Sequence, residues 1–309
     1  MKKFILKRLV ISLATLLVLI TVVFLLVRLM PGGPFMDPKL TPEVKARMEA
    51  YYGLDKPLIQ QYFQYLGNLL KGDLGYSMRY TNRTVNDILA TAFPYSADLG
   101  IRALVMALAV GLVLGITAAL HRGKTLDFVC IFIAIIGTSV PDFIMGGLLQ
   151  HFFGYKWGLL PVAQYYGFEY TILPSIALGL TTMAMVSRVM RSSMLEVVGQ
   201  DYIKTARSKG ISRLRIVTRH QVRNAIIPII TIMGPNVAAI LTGTFVIESV
   251  FTIPGMGKYY VESVNANDYT MILGMTVFYG AFLILASTVV DILYGVVDPR
   301  IRVGGKAGD

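Results

Sequence analysis

The chain is short of charge, cysteine and histidine. Of its 309 residues only 15% are charged and 55% are hydrophobic, whereas a soluble protein carries about 25% charged residues. So much apolar surface needs a solvent other than water, and the mean hydropathy of +0.62 agrees. The one cysteine, Cys130, sits in an apolar run, which excludes an internal disulfide framework or a cysteine metal cluster. His121, His151 and His220 are too scattered for ligand spacing, so no metal is expected. No Ser-His-Asp set, His-Glu-x-x-His run or paired carboxylate occurs, and no catalytic residue is expected. Gly123-Lys124-Thr125 has the ending of a phosphate-binding loop, but Ala118 stands where that loop needs glycine. Nucleotide binding by this chain is therefore not expected.

What the chain has is apolar runs of about 20 residues, the length that crosses a hydrocarbon core of about 30 Å. Six spans are expected, near residues 9–27, 96–120, 126–150, 171–190, 225–247 and 271–297. The first follows a basic start (Lys2, Lys3, Lys7, Arg8), is too long for the apolar core of a cleaved leader and lacks a small-x-small cleavage site. It reads as an uncleaved helix with its N-terminus inside. Gly111 and Gly115 in the second span form a small-xxx-small face for close helix packing. Pro141 and Asp142 interrupt the third.

The net charge of +11 follows the topology. Nine basic residues lie between Arg188 and Arg223, and others cluster at the N-terminus, at Arg122 and Lys124, and at Arg300, Arg302 and Lys306. Most acids fall in the other loops. This is the positive-inside asymmetry; it places both termini in the cytoplasm and makes a nucleic-acid partner unnecessary. Residues 31–94 mix charges with prolines and two short amphipathic stretches, 42–52 and 57–70, and read as a small extracytoplasmic cap.

Within the inner segment 191–224, residues 201–209 suit a short helix, with Asp201 near its start and Gly210 beyond its end. On composition alone it is an ordinary basic loop. Pro254, Gly255 and Gly257 force a tight turn on the outer face, either a lip that meets a delivering protein or a plain connection. Asp142 and Asp291 are acids in or near spans and so functional candidates. Asp291 equally suits a structural pairing with Arg300 or Arg302. Asp142 could line a pathway. Asn236, Thr242 and Thr244 in the fifth span offer hydrogen bonds, to a passing solute or between helices.

The order of residues adds more. Tyr202 and Thr205-Ala206-Arg207-x-x-Gly210, followed by Arg219-His220-x-x-Arg223-Asn224-Ala225-x-x-Pro228, resembles the "EAA" loop of ABC importer permeases in its peptide-permease form. Lys204-Thr205 replaces the usual Glu-Ala, and the Leu-Pro of the general pattern is missing. Similar fragments run along the chain: Arg28-x-x-Pro31-Gly32, Gly72-Asp73-Leu74-Gly75-x-Ser77 and Ser139-x-Pro141-x-Phe143, then Glu248-x-x-Phe251-x-x-Pro254-Gly255-x-Gly257 and Asp291-x-x-Tyr294-x-x-x-Asp298-Pro299-Arg300. Phe93-Pro94-x-Ser96-Ala97-x-Leu99-Gly100 looks like the oligopeptide members rather than the dipeptide or nickel ones.

The resemblance implies an all-α integral membrane protein of the type I ABC importer permease fold. It implies three parts: a first helix with an extracytoplasmic cap (1–92), a transmembrane domain (93–297) holding the coupling loop 191–224, and a cytoplasmic tail (298–309). It implies oligopeptide import across the bacterial cytoplasmic membrane, with dipeptide, nickel or other small-solute import as the alternative. Tyr202, Thr205, Ala206, Arg207 and Gly210 would couple to an ATPase. Glu248, Phe251, Pro254, Gly255 and Gly257 would form the lip. The implied partners are a second homologous permease, two cytoplasmic ABC ATPase subunits that hold ATP and Mg, an extracytoplasmic peptide-binding protein and membrane lipid. A gradient-driven secondary transporter is the rival class; internal repeats and several intramembrane acids would mark it, and no repeat is seen.

Overall fold

The computed structural model describes residues 2–31, 33–35, 41–80, 82–241 and 245–297, and over these the chain is helical. It divides into two compact units: residues 1–94 with 255–285, and residues 95–254 with 286 onward.

The first unit begins with α1 (Lys2–Arg28). Only 17% of its apolar window is buried, and Leu9, Val10, Leu13, Leu17 and Val18 stay exposed, as lipid-facing residues should. The two amphipathic stretches of the cap are α2 (Pro42–Tyr51) and α3 (Leu58–Leu70). Pro42 opens α2, where its missing N–H costs nothing, and Thr41 caps it by accepting from Val44 N. The first turns of α4 (Val85–Leu120) supply Val85, Ile88, Leu89 and Ala92 to a core shared with Met256, Met271 and Met275. Those methionines come from α13 (Met256–Asn265) and α14 (Tyr269–Val297). A second cluster joins Phe24 and Val27 of α1 to Tyr269, Ile272 and Leu273.

Asp268 ties this unit together. It precedes α14 and accepts from Met271 N at 3.0 Å, an N-cap bond. Its other oxygen accepts from Ser77 Oγ at 2.5 Å, Met78 N at 3.0 Å and Arg79 N at 3.1 Å. A carboxylate 1% exposed is tolerable there because four donors replace its water.

In the second unit, α7 (Glu169–Val198) is the central helix, with 67% of its apolar window buried. The rest of α4 crosses it at glycines. A Cβ at Gly111 would stand 2.7 Å from Met183 O, and one at Gly115 would stand 2.6 Å from Ser187 O. Gly179 of α7 returns the contact at Ala103 O. The small-xxx-small reading of the second span thus finds its partner helix. Against α7 also lies α5 (Thr125–Ser139), where Gly137 approaches Ala184.

Pro141 breaks the third span more sharply than an interruption. After α5 the extended Val140 and Pro141 turn the chain, and α6 (Asp142–Leu149), with the wide π-type turns Gln150–Lys156 that follow it, leaves at 109° to α5. Among the described residues four helices are long and apolar enough to cross a membrane, five if this bent pair is one span. The remaining expected span, 225–247, contains α11 (Ile227–Leu241); residues 242–244 within it lie outside the described residues. Of the last span, α14 is described as far as Val297.

Candidate functional site

The inner segment folds as short pieces that alternate anchors and exposed groups. After Gly199 come α8 (Asp201–Ser208) and α9 (Arg213–Ile216), then π-type turns Val217–Val222, α10 (Arg223–Ala225) and α11 (Ile227–Leu241). The helix expected over 201–209 is therefore present. Gly210 follows it at φ +71°, a left-handed conformation that glycine adopts without penalty, and so turns the chain back under α8.

Ile203 and Ala206 point inward and are packed with Ile216, Val197 and Ile211. Burying an isoleucine stabilises by about 1.5–3 kcal/mol, enough to fix so short a helix, which alone would not persist in water. Tyr202, Lys204, Thr205 and Arg207 face outward. Tyr202 Oη accepts from Asn224 Nδ2 at 2.8 Å, so the exposed ring is held in one orientation. Lys204 Nζ pairs with Asp201 at 2.8 Å on the surface. Of the five coupling candidates, Tyr202, Thr205, Arg207 and Gly210 lie on or beside the exposed face. Ala206 lies beneath it, where its small size serves the chain's own packing.

Asp142 opens α6, and its Oδ1 accepts from Thr181 Oγ1 of α7 at 2.9 Å. It lines a cavity of about 390 Å³ with Thr138, Pro141, Phe143, Thr181 and Val246. Asn236 turns inward to its own helix: Nδ2 donates to Ile232 O at 2.7 Å. Structure therefore keeps Asp142 beside a cavity and occupies part of Asn236's amide. Thr242 and Thr244 lie outside the described residues, as does the side chain of Asp291.

The lip candidates are mostly interior. Glu248, in α12 (Phe245–Val250), is 1% exposed and accepts from Ser96 Oγ at 2.6 Å. Phe251 belongs to the core of the second unit, and its carbonyl accepts from Gln164 N at 2.8 Å. In the first unit, Gly255 and Gly257 are buried at the start of α13. Pro254 alone of the five is exposed, flanked by exposed Thr252 and Lys258.

Some residues that hold the site in place escaped the sequence reading. Asp127 of α5 takes both arms of Arg191 of α7, Nε to Oδ1 at 2.7 Å and Nη2 to Oδ2 at 2.8 Å. Asp127 also accepts from Gly123 N at 2.9 Å, closing the basic turn after α4. This bond set brings the turn 121–124 to the same end of the unit as Arg191, as the charge pattern requires. An acid at the second position of the expected span 126–150 was the available signal. Asp98 pairs with Arg102 and Tyr165 in the same unit. Burial, then the Asp98 carboxylate beside it, pushes the Tyr165 phenol far up.

Comparison with known proteins agrees with this architecture. Residues 111–303 match the model of the binding-protein-dependent transport system inner membrane component, and residues 1–100 match its N-terminal companion. The dipeptide transport system permease protein of Bacillus subtilis is 46% identical over 99% of this chain and all of its own length. The oligopeptide transport system permease protein of Haemophilus influenzae is 43% identical over 98% of this chain and all of its own. Among solved structures, an amino acid ABC transporter superposes with a TM-score of 0.53 at 15% identity, covering 68% of this chain and 94% of that one. An inward-facing methionine ABC transporter gives 0.50 at 16%, covering 68% and 96%. At such identities these two show the type I fold alone. The chain is a multi-pass membrane protein and belongs to the family of inner-membrane components of binding-protein-dependent transport systems.

Proposed function

We propose that this chain is a permease subunit of an ATP-driven importer of peptides, oligopeptides above all. The relatives named for dipeptides and oligopeptides, matched over nearly the whole chain, support the substrate class. The observation that carries the coupling role is the two-faced α8: Ile203 and Ala206 lock it to the chain while Tyr202, Thr205 and Arg207 stand outward. A helix so fixed transmits a push rather than absorbing it.

In this reading the chain pairs with a second homologous permease, and two cytoplasmic ABC ATPase subunits bear on α8 and its counterpart. Those subunits hold ATP and Mg; this chain holds no nucleotide and does no covalent chemistry. Closure of the ATPase pair moves α8, and the spans attached to it exchange inward for outward access. Peptide arrives from an extracytoplasmic binding protein at the outer turn, for which Glu248, Phe251, Pro254, Gly255 and Gly257 are the candidates. Asp142 lines the path, and Asn236, Thr242 and Thr244 are its further candidates. Residues 1–92 form the first helix and cap, 93–297 the transmembrane domain and 298–309 the tail, with both termini cytoplasmic.

The test is a pull-down of the chain in mild detergent, with the eluate assayed for ATPase activity. Wild type should retain an ATPase that Thr205→Asp and Arg207→Glu lose, both changes lying on the exposed face. Gly210→Asp should lose it by misplacing α8. An ATPase retained equally by all three variants overturns the coupling role of α8.

A further inference from the structure

At the end of the first membrane helix, a group of hydrogen-bonding side chains faces a cavity with no protein partner. Arg28 is the last residue of the span Ile5–Arg28. Its guanidinium lies over the rings of Phe24 at 5.0 Å and Tyr269 at 5.4 Å, yet Nε and Nη1 are buried without an acceptor. Aromatic faces attract the charge but do not take those two N–H bonds. Tyr65 Oη and Gln61 Oε1, from α3, are likewise buried and unpartnered. Burial pushes the Tyr65 phenol far up, so it stands as a neutral O–H donor. All three residues line one cavity of about 360 Å³ within the first unit. Desolvated polar atoms left unpaired are costly, and more so where charged, so four together, on three residues, mark a place for a ligand.

We propose that this cavity holds the headgroup of a membrane phospholipid, with its phosphate on Arg28.

The chemistry is that of an oxyanion joined to an ammonium. Arg28 and Tyr65 offer donors for phosphate oxygens, and a guanidinium fork suits two of them at once. Gln61 Oε1 and the carboxylate of Asp73, which also lines the cavity, are acceptors for an ammonium. One Asp73 oxygen is already engaged by Gly75 N at 2.8 Å. Among the described residues of the lining Arg28 is the only cation and Asp73 the only anion, so the ligand that balances them is zwitterionic, as phosphoethanolamine is. A free peptide or amino acid carries the same pair of groups.

Depth favours the lipid. The cavity begins where the apolar run of α1 ends, which is where lipid phosphates lie. The wall helix α3 is built for that level. Gln61, Gln64, Tyr65 and Asn68 line the cavity, while Ile59, Phe63 and Leu70, a helical face away, are exposed. An amphipathic helix of this kind lies in the plane of the interface.

The experiment is native mass spectrometry of the purified full chain titrated with phosphatidylethanolamine and, separately, phosphatidylcholine, whose methylated ammonium has no N–H to give. Wild type should bind one phosphatidylethanolamine about tenfold more tightly than phosphatidylcholine. Arg28→Gln should weaken it about tenfold or more, Arg28→Lys less, and Lys124→Gln, at another basic turn, not at all. If Arg28→Gln does not fold, Tyr65→Phe, which removes one donor and no volume of consequence, carries the question with a few-fold loss. Equal binding by wild type and these variants overturns the proposal. So does displacement of the bound lipid by millimolar dialanine, which would assign the cavity to a free zwitterion.

Discussion

Arg191 of α7 grips both carboxylate oxygens of Asp127 of α5, whose side chain is 4% exposed. Removing one partner strands the other. Asp127→Asn and Arg191→Gln are each expected to lower stability by about 2–4 kcal/mol, the lower part of that range for Arg191, whose side chain is a quarter exposed. The double variant should cost less than the sum of the two. Thermal unfolding in detergent measures all three, and strictly additive losses would show that the pair is not coupled.

The crossing of α4 on α7 should tolerate no added bulk. At Gly115 a Cβ would meet the carbonyl of Ser187 and the Cβ of Met190, neither of which can swing aside as a side-chain end would. Gly115→Leu is expected to destabilise by about 1–3 kcal/mol through overpacking. Gly147→Ala, at a glycine whose surroundings are open, serves as the contrast. Melting temperatures of the two variants decide the matter: similar values would mean that the helices separate freely.

Asp142 divides a structural role from a transport role. Asp142→Asn keeps an oxygen for Thr181 Oγ1 and removes only the charge. If the carboxylate meets a peptide's amino terminus, uptake into vesicles falls about tenfold, as loss of a charged hydrogen bond implies, with the melting temperature unchanged. Unchanged uptake would remove Asp142 from the path.

Tyrosine ionisation offers a pH test. At Tyr80, burial and then the hydrogen bond to Glu262 push the phenol far up; at Tyr52, burial and then the Asp268 charge push it up. Both are groups whose folded value lies above the unfolded value of about 10. Above that pH the folded chain holds more protons than the unfolded one, so their contribution is intact below about pH 10 and declines as pH rises past it. In a phenolate absorbance titration, Tyr80→Phe should remove signal from the late, alkaline part of the curve. Loss from the early part would contradict the assignment.

Much of this was legible from residue order. Apolar length gave the spans, prolines and charges gave the cap helices, and Gly210 marked the turn after α8. Gly111 and Gly115 announced a close crossing without naming its partner, because a spacing on one helix carries no address on another. The buried roles were less legible. Ala206 and Phe251 sit in stretches that read as surface motifs, yet short segments folded against a larger body hide alternate residues. Glu248 stood in an outer loop by hydropathy, and its bond from Ser96, 152 positions earlier, belongs to an interior setting that no local pattern states. The angle at Pro141 depends on packing that no proline states by itself.

The bonds of Asp268 also set an order of assembly. The first unit is discontinuous in the chain: residues 1–94 are made early and 255–285 late. Until Asp268 is synthesised, Ser77 Oγ, Met78 N and Arg79 N have no carboxylate to bind, and the cores built on Val85 and Phe24 lack Met271 and Ile272. The segment 1–94 therefore waits, partly built, while the whole stretch to Pro254 is made. A chain halted after Pro254 should be cut by added protease at Ser77–Arg79 faster than the finished protein, in which Asp268 holds these residues.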